Sequence, residues 1–173
     1  MLITSKKLDN LHKICYYISS YIHNILSEYT GGKNMYSIKK DDIVIRTMQA
    51  KDVASYIAKF NYSPKDRNMF YTAVKKNVTQ RKDDEPNLYF VILKDNKVIG
   101  GIAAIAFEKS LCDAIIRIDL PGKEMLMGKV KRLFVELARE TYFFDDIYFV
   151  KGVNVLGQPI LSEVIPIADS SRW

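Results

Sequence analysis

The chain has too little cysteine for a disulfide framework: Cys15 and Cys112 are its only two, and they form no ligand pair at metal spacing. Histidine is equally sparse. His12 and His23 stand eleven residues apart with no Cys or carboxylate cluster beside them, so no metal site is expected. Eight Gly and five Pro in 173 residues are few, which excludes linker-rich and loop-dominated architectures. No apolar run of 18 residues occurs, so no transmembrane segment is expected. The stretch after Lys6-Lys7 is broken by Asp9, Asn10, His12 and Lys13, which is no secretory leader, and a cytoplasmic location follows as the expectation. No block of five or six like charges is present, so a tail-like nucleic-acid arm is absent.

What remains is ordinary globular material. Apolar residues make up 48% and charged residues 27%, and the length suits one α/β domain with a single sizeable core. The formal charge of +6 favours anionic encounters, whether a nucleotide cofactor, nucleic acid or an acidic membrane surface. The basic residues are scattered in small groups, at Lys39-Lys40, Lys75-Lys76, Arg81-Lys82 and Lys129 to Arg132. Aromatics do interleave with lysines near residues 69–82 and 142–151. Most fall at core spacing, which argues for packing over stacking on nucleic acid. Rich Lys, Asn, Ile and Tyr usage fits a low-GC bacterium or its phage.

Hydrophobic periodicity predicts the elements. In residues 6–29, Leu8, Leu11, Cys15, Ile18, Ile22, Ile25 and Tyr29 recur at alternating steps of three and four, a helical heptad seam. Thr30-Gly31-Gly32 closes it. This helix either lies on its own domain or pairs with a partner or second copy through Leu11, Cys15, Ile18, Ile22 and Ile25. The expected division is therefore residues 1–34 as helix and linker and 35–173 as the main domain. Within the latter, Asp42 to Met48 reads as a strand, Ala50 to Phe60 as a helix, and Lys65 to about Arg81 as a second helix with Met69, Phe70, Ala73, Val74 and Val78 inward. Leu88 to Leu93 and Val98 to Phe107 read as strands joined by a tight hairpin, because Asp95 and Asn96 both tolerate positive φ. Ala114 to Leu120 is a further strand, Glu124 to Thr141 a helix with Met127, Val130, Leu133, Phe134 and Leu137 on one face, and Asp146 to Val153 another strand. Val155 to Glu163 turns once, and Val164 to Ile167 reads as a final edge strand.

Three segments resemble the GNAT superfamily of N-acetyltransferases. Ile43 to Arg46 followed by Gln49-Ala50-Lys51-Asp52 is similar to that family's opening strand and its "xxAxxxD" helix start. Asp95 to Gly101 is similar to its central hairpin, whose usual text is "dgkiVG", and Ile116 to Gly128 falls where its cofactor loop stands. The likeness spans about residues 42–155. It implies a central mixed, mostly antiparallel sheet flanked by helices, here with the extra amphipathic N-terminal helix. It also implies acetyl-CoA as cofactor, its pantetheine arm wedged between two splayed strands and its pyrophosphate at a helix N-terminus. The family text there is Arg or Gln, two residues, Gly, one residue, then Gly or Ala. On this register Lys123 takes the basic position, Leu126 replaces the first glycine and Gly128 matches the last small residue. The resemblance then implies that Ile116 and Ile118 offer strand backbone to pantetheine, while Lys123, Met127, Gly128 and Lys129 surround the pyrophosphate.

Two functions stay open at this point. One is CoA-dependent N-acetylation of a primary amine. The other is a catalytically silent relative serving as a structural or assembly protein, since GNAT-like folds also occur in phage-encoded and virion-associated proteins; such a protein would assemble in the bacterial cytoplasm and bind a partner through the N-terminal helix. Leu126 crowds the expected phosphate approach and Glu124 adds a negative charge beside it. The family's late helix, source of a Tyr acid, is replaced by Val155-Leu156-Gly157-Gln158-Pro159, and no Tyr follows Tyr148. Asp113 and Glu108 are carboxylates at strand ends, and Asn154 falls where the family often carries Asn, but none of these defines a catalytic group. Other chemistries find no support: Thr30-Gly31-Gly32-Lys33 is no phosphate-binding loop of the nucleotide triphosphatases, no G-x-S-x-G elbow exists, and Cys15, three residues from His12, sits on the apolar seam.

Overall fold

The computed structural model of the chain describes residues 35–80, 87–106, 113–141, 146–153, 155–156 and 158–166. The heptad seam through Leu11, Cys15, Ile18, Ile22 and Ile25 lies outside these residues, as do Glu108 and Asn154.

Among the described residues, seven strands form one sheet in chain order: β1 (Ser37–Lys40), β2 (Ile43–Thr47), β3 (Asn87–Lys94), β4 (Lys97–Ala106), β5 (Asp113–Asp119), β6 (Asp146–Val153) and β7 (Pro159–Pro166). Every neighbouring pair is antiparallel except β5 and β6, which run parallel. Parallel neighbours need a crossover, and α3 (Met127–Thr141) supplies it. Two further helices, α1 (Ala50–Ile57) and α2 (Pro64–Gln80), connect β2 to β3. The sheet is mixed and mostly antiparallel with helices against it, as the resemblance implied.

Period-two alternation sends the central strands into two cores. Ile43 and Ile45 of β2, Leu88, Phe90 and Ile92 of β3, Ile102 and Ala104 of β4, and Ile116 of β5 meet Val130, Leu133, Phe134 and Leu137 of α3 on one face. Val91 and Leu93 of β3 meet Val53, Tyr56 and Ile57 of α1 and Val74 of α2 on the other. Side chains of β3 are therefore buried on both sides, which explains why its sequence reads as an unbroken apolar run.

The Asp95-Asn96 hairpin forms as expected, with φ of 49° and 61° at the two residues. Several boundaries move. The first helix stops at Ile57 rather than Phe60, because Lys59 and Phe60 donate to carbonyls three residues back and tighten the chain out of the α-helix. In α2 only Val74 is fully buried; Met69 and Phe70 point outward and Ala73 is exposed, since the helix touches the sheet through a narrow stripe. The helix expected from Glu124 begins as a 3-10 turn, Glu124–Leu126, before α3. The last strand starts at Pro159, five residues earlier than its apolar text suggested, because it pairs antiparallel with β6 across two irregularities near Val150. β1 has a single apolar residue and no sequence signature of its own. It exists because its backbone pairs with β2 from Ser37↔Arg46 to Lys40↔Ile43.

Candidate functional site

The parallel ladder between β5 and β6 is short. It runs Asp113↔Asp146, Ala114↔Ile147, Ile115↔Tyr148 and Ile116↔Phe149, and there it stops. Arg117, Ile118 and Asp119 continue β5, still paired to Ala103, Ile102 and Gly101 of β4, but without partners on β6. Beyond Phe149, β6 bulges and keeps its register with β7 alone. The sheet therefore parts between β5 and β6, leaving an opening along which β5 is unpaired for about 10 Å at ~3.3 Å per residue. An interior strand edge of this kind offers N–H and C=O groups to an extended amide chain, which can add as a short strand.

The opening faces the C-terminal end of β5, where the chain turns into α3. Gly122 takes φ of 69°, and the Lys123 N–H donates to the Leu120 carbonyl at 3.0 Å. The Leu126 N–H then donates to the Lys123 carbonyl at 2.9 Å and the helix follows. The chain thus enters α3 a short loop after the end of β5 that parts from β6, with the positive end of the helix dipole toward that loop. Glu124 complicates that mouth: its Oε1 accepts the Gly122 N–H at 3.0 Å, so a carboxylate already uses one backbone donor of the loop.

The residues expected around a cofactor are divided by this geometry. Ile116 is the last paired residue of β5, fully buried, with backbone partners on both neighbouring strands, whereas Ile118 sits on the open edge. Lys123 is exposed in the loop. Leu126 and Met127 are half-buried and pack against the core, so the leucine in the glycine position turns its side chain inward. Gly128, in the first turn of α3, has space around it: the nearest atom to an added Cβ would be Arg132 Nη1 at 3.8 Å. Lys129 is engaged elsewhere, its Nζ 2.9 Å from Asp41 and 3.5 Å from Asp42 in the β1–β2 turn. The hydrogen bond to Asp41 raises its pKa, outweighing the slight loss of hydration.

A polar cluster that periodicity did not single out lies on the opposite face of β5. Ile116 and Ile118 point toward α3, so Arg117 and Asp119 point toward α1. Tyr56 of α1 donates its hydroxyl to Asp119 Oδ2 at 2.8 Å, and Arg117 Nε donates to the same oxygen at 3.0 Å. Burial pushes the Tyr56 hydroxyl pKa well up, and the Asp119 charge adds to this. Tyr56 is therefore a fixed donor throughout the working pH range. For Arg117, burial works against the charge, but Asp119 and Tyr56 outweigh it and raise the pKa. Two glycines make this arrangement fit. A Cβ on Gly101 would stand 2.6 Å from the Tyr56 ring, and one on Gly100 would stand 2.1 Å from the Asp119 carbonyl oxygen. The signal was present in the sequence as paired glycines inside a strand, which mark close approach.

Aromatic rings extend the cluster outward. Tyr56 meets Phe60 edge-on at 5.2 Å, Phe60 stacks on Tyr62 at 5.2 Å, and Tyr62 stacks on Phe70 at 4.6 Å. Asp113 stands at the closed end of the β5–β6 ladder, away from the opening. The Asp of the "xxAxxxD" segment is structural: Asp52 receives Arg46 Nη1 and Nη2 at 2.7 and 2.8 Å and the Gln49 N–H at 2.8 Å.

A mixed sheet parted between its two parallel strands, with a helix starting at the mouth, is the fold of the GNAT N-acetyltransferases, and this chain has that fold. Among solved structures it is similar to a ribosomal-protein alanine acetyltransferase from Vibrio fischeri, with TM-score 0.57 and 13% identity over 77% of this chain and 97% of that one. It is also similar to a chimeric spermidine N-acetyltransferase from Vibrio cholerae (TM-score 0.51, 12% identity, 74% of this chain and 97% of the other). A third likeness is to a ribosomal alpha-N-protein acetyltransferase in complex with coenzyme A, with TM-score 0.52 and 12% identity over 65% of this chain and 73% of the other. No protein-family model and no curated protein sequence matches the chain.

Proposed function

We propose that the chain binds acetyl-CoA in the β5–β6 opening and transfers the acetyl group to a primary amine. The observation that carries this reading is the ladder that ends at Ile116↔Phe149 while β5 runs on to Asp119. Arg117 to Asp119 leave backbone N–H and C=O groups unpaired on an interior edge of the sheet, where an extended ligand chain can pair with them. An extended pantetheine arm, with its two amides, satisfies that edge. The likeness to an acetyltransferase solved with coenzyme A supports the same assignment.

The residues of the chain divide the work. The backbone of Arg117 to Asp119 aligns the arm, and the first turn of α3 at Gly128 lies toward the diphosphate. Lys123, exposed in the loop, adds a positive charge at the mouth. Bound acetyl-CoA supplies the activated acyl thioester. On transfer, the amine nitrogen forms a bond to the acyl carbon and the C–S bond breaks. Of the two protons an ammonium sheds, one ends on the CoA sulfur and one goes to solvent. The face carrying Tyr56, Tyr62, Arg117 and Asp119 lies opposite α3 and is the side from which an acceptor reaches the opening.

Calorimetric titration with acetyl-CoA tests the reading. Micromolar binding is expected, and Gly128→Glu should weaken it at least about tenfold, roughly 1.4 kcal/mol, by setting a carboxylate at the helix mouth. The open space at Gly128 lets that variant fold normally. Absence of binding at millimolar acetyl-CoA, or equal binding by Gly128→Glu, removes the assignment.

A further inference from the structure

Arg117 stands one residue past the point where β5 and β6 separate, on the acceptor face. Its Nε is held by Asp119 Oδ2, which is held in turn by the buried hydroxyl of Tyr56. The Asp119 side chain is only 17% exposed, whereas that of Arg117 remains 50% exposed. A guanidinium has five N–H donors in a planar fork, so Asp119 and Tyr56 together use only part of it. Anchoring one edge of the fork orients the remaining donors and reduces the entropy lost when they grip a second anion. Beside this fork stands the ladder of Phe60, Tyr62 and Phe70, an apolar wall that reaches the surface, Phe70 being 38% exposed. Burial raises the pKa of the Tyr62 hydroxyl, and the charges of Arg117 and Asp119 act on it in opposite senses, which places Tyr62 near the charged pair.

We propose that Arg117 is a specificity-determining residue and that the acceptor is a primary amine bearing a carboxylate, which Arg117 grips, and an aromatic or apolar body, which rests on the Phe60–Tyr62–Phe70 wall. This rests on the acyl-transfer reading above. A planar fork matches a carboxylate in two parallel hydrogen bonds. The same guanidinium repels the second ammonium of a linear polyamine, and the chain's net charge of +6 adds to that repulsion. An Arg117 that served only to neutralise Asp119 would be indifferent to a carboxylate on the acceptor, and this difference is measurable.

The probes are L-phenylalanine and 2-phenylethylamine, which share an aromatic body and a primary amine and differ in the carboxylate. Each is offered to the full chain with saturating acetyl-CoA, and released thiol is followed. The wild type is expected to favour L-phenylalanine at least about tenfold in kcat/KM, the worth of one good bidentate contact. Arg117→Gln should bring the ratio within twofold by lowering the L-phenylalanine rate more than the 2-phenylethylamine rate, and Arg117→Lys should retain part of the preference. In parallel, the 15N resonance of the Arg117 Nε should shift saturably with L-phenylalanine and not with 2-phenylethylamine. Calorimetry of acetyl-CoA on each variant separates the two readings: no acetyl-CoA binding by the wild type ends acyl transfer itself. With acetyl-CoA bound, a wild-type ratio below twofold, a ratio that survives Arg117→Gln, or no thiol release from either probe overturns the role of Arg117.

Discussion

Asp52 keeps its charge at 6% side-chain exposure because three donors surround it. Burial alone would raise its pKa, but the two-pronged Arg46 contact and the Gln49 N–H outweigh burial and hold the carboxyl below the ordinary range. A carboxyl with a depressed folded-state pKa contributes stability that is present above its unfolded pKa of about 4 and disappears as the pH falls through the folded value. Thermal melts should therefore show Tm declining below about pH 4. Asp52→Asn should cost about 3 kcal/mol at pH 7, because it leaves Arg46 charged and poorly paired at 18% exposure, and its Tm should depend less on acid pH. A variant as stable as wild type at pH 7 would show the pair to be worth no more than a surface bridge. The surface pairs of Lys129 with Asp41 and Asp42 belong to that weaker class.

At the level of elements, β4 does two jobs at one end. Its glycines let Tyr56 lie flat on the sheet and let β5 pass close by, and these two approaches bring Tyr56 and Asp119 within 2.8 Å. Gly101→Ala sets a methyl group 2.6 Å from the Tyr56 ring and 3.0 Å from the Phe90 carbonyl oxygen. Neither neighbour yields easily, one being a packed ring and the other sheet backbone. The expected loss is about 1–3 kcal/mol by chemical denaturation, the usual cost of overpacking. Rotation of Tyr56 away from Asp119 should also change the Tyr56 hydroxyl environment, visible in tyrosine ultraviolet difference spectra. A neutral substitution with an unchanged spectrum would show that the α1–β4 contact is looser than the distances state. The hairpin beside these glycines was legible because Asp95-Asn96 is a local preference. β1 and the start of β7 were not, because their residues become strands only by pairing with β2 and β6.

For the whole molecule, a ligand filling the opening between β5 and β6 would couple its binding to folding. A ligand that completes the sheet binds the folded chain and not the unfolded one. At a hundred times its Kd, acetyl-CoA should add about 2.7 kcal/mol to stability, which for a domain of this size raises Tm by several degrees. Differential scanning at rising acetyl-CoA should give a Tm that climbs with the logarithm of concentration, while equal concentrations of acetate or ATP should not reproduce it. A flat response to acetyl-CoA would mean that the opening is not filled by it. No helix among the described residues is long and apolar enough to cross a membrane.

Sequence alone determined what depends on near neighbours along the chain. Apolar runs set β3, β4 and β5, helical spacing set the face of α3, and two residues tolerant of positive φ set the hairpin between β3 and β4. Tertiary structure alone decided where the β5–β6 ladder ends, that Leu126 turns inward, that Lys129 answers Asp41, and that Tyr56 meets an aspartate 63 positions away. The physical reason is range: secondary-structure preferences act over a few residues, while hydrogen bonds and ion pairs form wherever packing brings their atoms within about 3 Å. The residues with the most chemistry to offer, Arg117 and Asp119, looked like the polar half of an ordinary strand until α1 was folded against them.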